Sequence, residues 1–263
     1  MEPDFIDIED YQLEAKKIDQ SIALINSKMQ SLVFDYINMI SGSMGNNDLY
    51  DLRSSLEYRL SCCTFLNELS ENFRFQLEKS HIPNPLAIHP TMFRVHCTTD
   101  SLIFNLASVF DYLSSLIGYI IEGEKRKWNS LFKSIKNSAY KGSEIADIVQ
   151  RTHREYTDVL FRYRSELIHY KSDRGAFLHK HYPKSEKVEL HLFCSERFLS
   201  HFKSLKRIYP DKRITIRHAN FWLIGNALKY CLELLSSLRI HIEANRIIEP
   251  GKEVITFKKP DGN

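Results

Sequence analysis

Apolar residues recur every three or four positions over most of the chain. From Ile6 to Ile40 the stripe Ile18, Ile22, Ile25, Met29, Leu32, Val33, Tyr36, Ile40 marks one face of a helix that neither Gly nor Pro interrupts. Gly42 and Gly45 in SGSMGNN end it. A second run, Asp48 to Lys79, carries Leu49, Leu52, Leu56, Leu60 and Cys63 at the same spacing, so the two runs predict a long antiparallel hairpin. Pro83, Pro85 and Pro90 in HIPNPLAIHP forbid a continuous helix and place a boundary there. Ser101 to Ile121 is apolar almost throughout. Asn105, Asp111 and the serines within it argue for a buried core helix over a membrane span. Asn129–Asn137 reads as a short amphipathic helix. A longer helix spans about Ser143 to Tyr170, with Ser143 placed to cap it.

Beyond KSDRG the period changes from helical to alternating. Val188, Leu190 and Leu192 alternate with Glu189, His191 and Phe193, and Ile214 and Ile216 alternate with Thr215 and Arg217. Both predict short strands, paired with each other. Glu196 to Ile208 between them reads as one amphipathic helix ended by Pro210, and a last helix runs from about Asn220 to Arg246. The polar tail holds one possible strand at Val254–Phe257. The expected fold is mainly all-α: a helical bundle with a long N-terminal helical hairpin (1–80), a helical domain over 91–250 and a polar tail at 251–263. A small β/loop insertion (172–218) precedes the last helix. The whole is read as one compact unit.

Composition narrows the classes. Of 263 residues 43% are apolar and 26% charged, which excludes extended disorder, and 9 Gly with 8 Pro exclude collagen-like chains. The acidic start MEPDFIDIED lacks a signal-sequence pattern, and five irregularly spaced Cys form no disulfide framework. A cytoplasmic protein with reduced thiols, without a membrane anchor, is expected. The net charge of +3 is unevenly spread: residues 151–217 carry 16 Lys or Arg against 8 Asp or Glu, and most of the 11 His. A basic, His-rich third on an acidic body suggests a polyanion site; a solvated basic face is the alternative.

No GxSxG, GxGxxG, phosphate-binding P-loop, HExxH, EF-hand or paired CxxC pattern occurs. His179, His181, His191 and Cys194 have spacings that zinc would accept, but a basic loop and a strand account for them more simply, so neither metal nor cofactor is expected. Cys62 and Cys63 read as core and near-core fillers.

The segment FRYRSELIHYKSD is the strongest constellation. Arg164, four residues and His169 end a helix whose stripe Tyr156, Leu160, Tyr163, Leu167 must pack in the core. Phe161 and Ile168 widen the apolar surface beyond one contact stripe, which a dimer interface would explain. Arg174 with His179 and Arg213 with His218 have matching spacing but sit in a loop and across a strand. Glu166 is a local partner on the Arg162 or Tyr170 side, and the bland reading makes Arg164 and His169 cap or ion-pair residues.

RSELIH, with the preceding VFDYLSSLI helix and the helical plan, resembles the HEPN superfamily, chiefly over residues 91–171. That family's hallmark is Arg, a polar residue, three more residues and His. Ser165 stands where Asn or Asp is common. Lys171 stands where a toxin-type subgroup has Tyr, so the tyrosine-modification control of that subgroup is not implied. The resemblance implies metal-independent cleavage of single-stranded RNA at a site shared by two protomers, in bacterial defence or toxin systems, with an antitoxin or defence partner. Its catalytic residues would be Arg164 and His169. The imidazole exchanges protons near neutral pH and the guanidinium offers a permanent planar cation to phosphoryl oxygens. Arg154, Arg162, Lys171 and Arg174 would hold RNA phosphates, and Tyr170 would stack a base. A non-catalytic RNA-, nucleotide- or protein-binding module is the alternative. Five helical residues turn through about 140°, so Arg164 and His169 diverge on one straight helix and need a bend or a second copy to meet.

Overall fold

The apolar stripes become helices largely where the spacing placed them. The computed structural model describes residues 4–40, 47–79, 85–137, 142–169, 174–182, 187–248 and 255–257. Its helices are α1 (Tyr11–Ile40), α2 (Asn47–Glu78), α3 (Pro85–Glu122), α4 (Trp128–Asn137), α5 (Glu144–Thr152), α6 (Asp158–His169), α7 (Glu196–His201), α8 (Lys203–Ile208) and α9 (Ile216–Ala244). The strands are short: β1 (Phe5–Ile6), β2 (Phe177–Tyr182), β3 (Lys187–Leu192), β4 (Arg213–Ile214), β5 (Arg246–Ile248) and β6 (Ile255–Phe257). The protein is mainly α-helical, as expected.

The residues group into two compact units, each assembled from separate stretches of chain. Unit 1 draws on residues 1–18, 61–106 and 159–225; unit 2 on 19–60, 107–158 and 226–263. In unit 2, Ile25, Met29 and Tyr36 of α1 are buried, as are Leu49 and Leu56 of α2, Phe110 of α3 and Trp128 of α4. The Tyr36 hydroxyl donates to the Ile120 carbonyl (3.1 Å), which keeps its polar tip satisfied inside the core. In unit 1, Leu77, Ile88, Val95, Leu190, Leu192 and Ile216 form one apolar cluster. Residues 88–122 of α3 are long and apolar enough to cross a membrane, but Leu102, Leu106, Phe110, Leu113 and Ile117 are fully buried within the fold.

Ser143 caps α5 by accepting the Ala146 amide hydrogen bond (3.4 Å), as predicted. The helix behind it is not uniform. His153–Thr157 form a π-helical turn in which the Asp158 amide donates to the His153 carbonyl, five residues back. Inside unit 2 the His153 ring stacks on Phe132 at 3.8 Å between centroids, and its Nδ1 accepts the Trp128 indole hydrogen bond (3.2 Å).

Several expectations are corrected. Pro90 lies inside α3, about one turn from its start, and the lost amide bond there is outweighed by the deeply buried later face of the same helix. Ile6 is in a strand, not at the head of α1. β3 pairs antiparallel with β2, whose sequence reads as a loop, and β4 pairs in parallel with β1. Only the isolated Phe193–Thr215 bridge joins the two stretches expected to pair. Ile216 starts α9, because the Thr215 hydroxyl accepts from the His218 amide (3.2 Å) as an N-cap does. The single helix expected over 196–208 breaks at Phe202, whose backbone (φ −87°, ψ 57°) leaves the helical region. The tail strand forms as β6, paired with β5.

Candidate functional site

Within unit 1, α6 is held by two of its own side chains. Tyr163, buried as its stripe predicted, packs edge-on against Phe198 and Phe202 and lies 5.3 Å from the His201 ring. Glu166 is the second tether. One of its carboxylate oxygens accepts from Nε and Nη2 of Arg197 (3.0 and 2.8 Å), and the other lies 3.1 Å from Nε2 of His201. Those hydrogen bonds from Arg197 hold the Glu166 carboxyl below its usual range, with the His201 charge assisting. Both of these partners lie on α7, a helix that spacing along α6 does not point to.

Arg164 is half-buried, with its guanidinium carbon 5.8 Å from the centre of the Phe104 ring on α3, within cation–π range. His169 is the last residue of α6 and is exposed. Leu160 is buried and Leu167 half-buried, but Ile168 next to His169 is 54% exposed, so the broad apolar surface is not all used within one chain. Five residues of regular helix separate Arg164 from His169, so one protomer does not bring them onto one face.

The expected phosphate-binding cations scatter. Arg162 is exposed on α6. Arg174 is exposed, 5.5 Å from the Phe93 ring. Arg154 belongs to unit 2, on the π-helical turn, and pairs with its neighbour Glu155 (3.2 Å). Tyr170 and Lys171 lie outside the described residues. Gly175, beside Arg174, is required by close approach: a Cβ there would stand 1.7 Å from the Phe193 carbonyl oxygen.

The constellation with zinc-compatible spacing is split by strand register. His179 sits opposite Leu190 and His191 opposite Leu178, so these two imidazoles lie on opposite faces of the β2–β3 ribbon. Among the described residues no three His, Cys, Asp or Glu side chains converge as metal ligands.

Two clusters correspond to no sequence motif. The first surrounds Asp7, just after β1. Its carboxylate accepts from Arg217 Nε (3.0 Å), the Thr215 hydroxyl (2.8 Å) and the Ile8 amide (2.8 Å), and its second oxygen lies 3.0 Å from His191 Nδ1. Arg217 continues to Glu71 (3.1 Å), which pairs with Arg74, and Arg74 pairs with Glu78 (2.6 Å). Glu78 in turn accepts the Leu190 amide of β3 (3.0 Å). Burial alone would raise the Asp7 carboxyl, but His191, the Arg217 charge and the two further donors outweigh it and hold it at about 2. This chain of charges ties β1, α2, β3 and α9 together. Nothing in sequence spacing announces it, because its members come from four distant stretches.

The second cluster is a shallow groove lined by Glu196, Leu199 and Ser200 of α7, Lys203, Lys206 and Arg207 of α8, and Pro210. The string KSLKRI puts its three cations at i, i+3 and i+4, a spacing readable once α8 is known to be helical. Comparisons with known protein families, with curated proteins and with solved structures returned no match.

Proposed function

We propose that this protein is a metal-independent endoribonuclease of the HEPN type, cutting single-stranded RNA in a reducing cytoplasm where two copies bring the ends of their α6 helices together. The observation that supports this reading best is the exposure of His169 at the tip of α6, beside the exposed Ile168, on the helix whose earlier face carries Arg164. Glu166, the acid between them, has both oxygens engaged by Arg197 and His201. In the proposed reaction one His169 takes the proton of a ribose 2′-hydroxyl, whose oxygen attacks the adjacent phosphorus. The partner's His169 delivers a proton to the departing 5′-oxygen. The products are a 2′,3′-cyclic phosphate and a 5′-hydroxyl. Arg164 would meet the charge on the phosphoryl oxygens. A defence or toxin role, with a restraining partner, belongs to the same proposal.

Purified protein is expected to cut single-stranded RNA in EDTA with a bell-shaped pH profile, and His169→Ala to abolish cutting. Equal cutting by His169→Ala refutes the assignment. One observation favours the second reading, a module that binds without turnover: the Arg164 guanidinium faces Phe104 within its own unit. Binding without cleavage, unchanged by His169→Ala, would select it.

A further inference from the structure

We infer that the groove between α7 and α8 is a track for the phosphate backbone of single-stranded RNA, with Lys203, Lys206 and Arg207 as its contacts. The inference deepens the ribonuclease reading by assigning where substrate lies. It stands on three observations. The first is charge: three cations occupy two turns of one short helix, and Glu196 is the one acid among the described residues that line the groove. The second is availability. Lys203 and Arg207 are exposed and Lys206 half-buried, and none of the three pairs with an acid among the described residues. Their neighbours are treated differently: Arg197 is committed to Glu166, and Arg213 lies 3.5 Å from the centre of the Phe193 ring. Cations that build the fold are thus partnered, and those facing the groove are left to solvent.

The third observation is connection. α7 is one short helix with two duties. Glu196, Leu199 and Ser200 line the groove, while Arg197 and His201 of the same helix grip Glu166 of α6. A strand lying on α8 is therefore one helix away from the element that carries Arg164 and His169, inside the same unit. The groove is open and shallow, and its apolar floor is limited to Leu199 and Pro210. It offers point charges without a base-reading pocket, so the recognition is of phosphates and indifferent to sequence.

The test measures binding of a fluorescent 12-nucleotide oligouridylate by anisotropy as a function of salt, on His169→Ala protein so that the probe stays intact. The groove variant carries Lys203→Gln, Lys206→Gln and Arg207→Gln. A control variant loses the same charge elsewhere, by Lys28→Gln, Lys133→Gln and Lys136→Gln, all exposed positions of unit 2. Each single-strand phosphate contact contributes about 0.7 to the slope of log affinity on log salt. The groove variant is therefore expected to bind about 100-fold more weakly near 0.1 M salt, with a slope lower by about 2, and the control to bind as the parent does. Equal losses in both variants, or none in the groove variant, overturn the inference. So does a parent that ignores the RNA but binds a poly-glutamate peptide. The two proposals fail separately: groove-dependent binding without cleavage by the wild-type chain refutes the nuclease, and cleavage with unaltered binding in the groove variant refutes the track.

Discussion

Replacing Asp7 by Asn should remove a measurable part of the stability, with a pH dependence peculiar to that carboxyl. Asp7 is held at about 2 against an ordinary 3.8. A difference of that size corresponds to about 2 kcal/mol of folding free energy at neutral pH. The sign follows from the depressed folded value: the contribution is fully present above 3.8 and is lost as pH falls toward 2. By pH 3 about half of it has gone. Asn keeps one oxygen for Thr215 or Arg217 but loses the charge facing Arg217 and the second acceptor near His191. Urea denaturation of parent and Asp7→Asn at pH 7, 5 and 3 checks this. The parent's advantage should be about 2 kcal/mol or more at pH 7 and 5, and smaller by about 1 kcal/mol at pH 3. Subtracting the variant removes the titration of the other acids, which both proteins share. An advantage that stays constant from pH 5 to pH 3 would refute the reasoning.

Three further outcomes are expected. Gly175→Ala should destabilise by about 1–3 kcal/mol in urea titration, because the obstacle to its Cβ is the Phe193 backbone carbonyl and not a movable side chain. Iodoacetamide followed by mass spectrometry should label the exposed Cys97 in the native protein and Cys231 only on unfolding, since burial pushes the Cys231 thiol up to about 12. Glu166→Gln should raise amide hydrogen exchange in α7 while leaving overall helicity unchanged, because it weakens the α6–α7 tether at a partly exposed site; unchanged exchange there would show that apolar packing of Phe198 and Leu199 suffices to hold α7.

Helices were legible because a buried face repeats every three or four residues, and Ile25, Met29, Leu32 in α1 or Leu102, Leu106, Phe110 in α3 satisfy that rule without outside help. β2 was not legible. Its core FLHKH mixes two apolar residues with His and Lys, and it becomes a strand by pairing with β3. Nor was β1, whose two residues are ordered by partners some two hundred positions away. Ile216 satisfied the strand alternation by coincidence, since Thr215 caps a helix there. At the candidate site, spacing drew attention to Arg164 and His169 but was silent on the partner of Glu166. Arg197 and His201 reach it only because a separate helix packs beside α6. The π-helical turn at His153–Thr157 also left no mark in the apolar period; His153, its first residue, meets Trp128 and Phe132 from a separate helix.

The pairing of β1 with β4 has a consequence for biosynthesis. Asp7 and Thr215, bonded beside that ribbon, are 208 residues apart. At ordinary translation speeds the first strand leaves the ribosome on the order of 10–40 s before its mate exists. Through that wait Phe5, Ile6 and an ionised carboxylate have no destination, and early holding factors would find them open. A nascent chain arrested before residue 213 would lack the closing ribbon, so arrested-chain proteolysis should show the amino-terminal stretch cleavable until the last third has emerged.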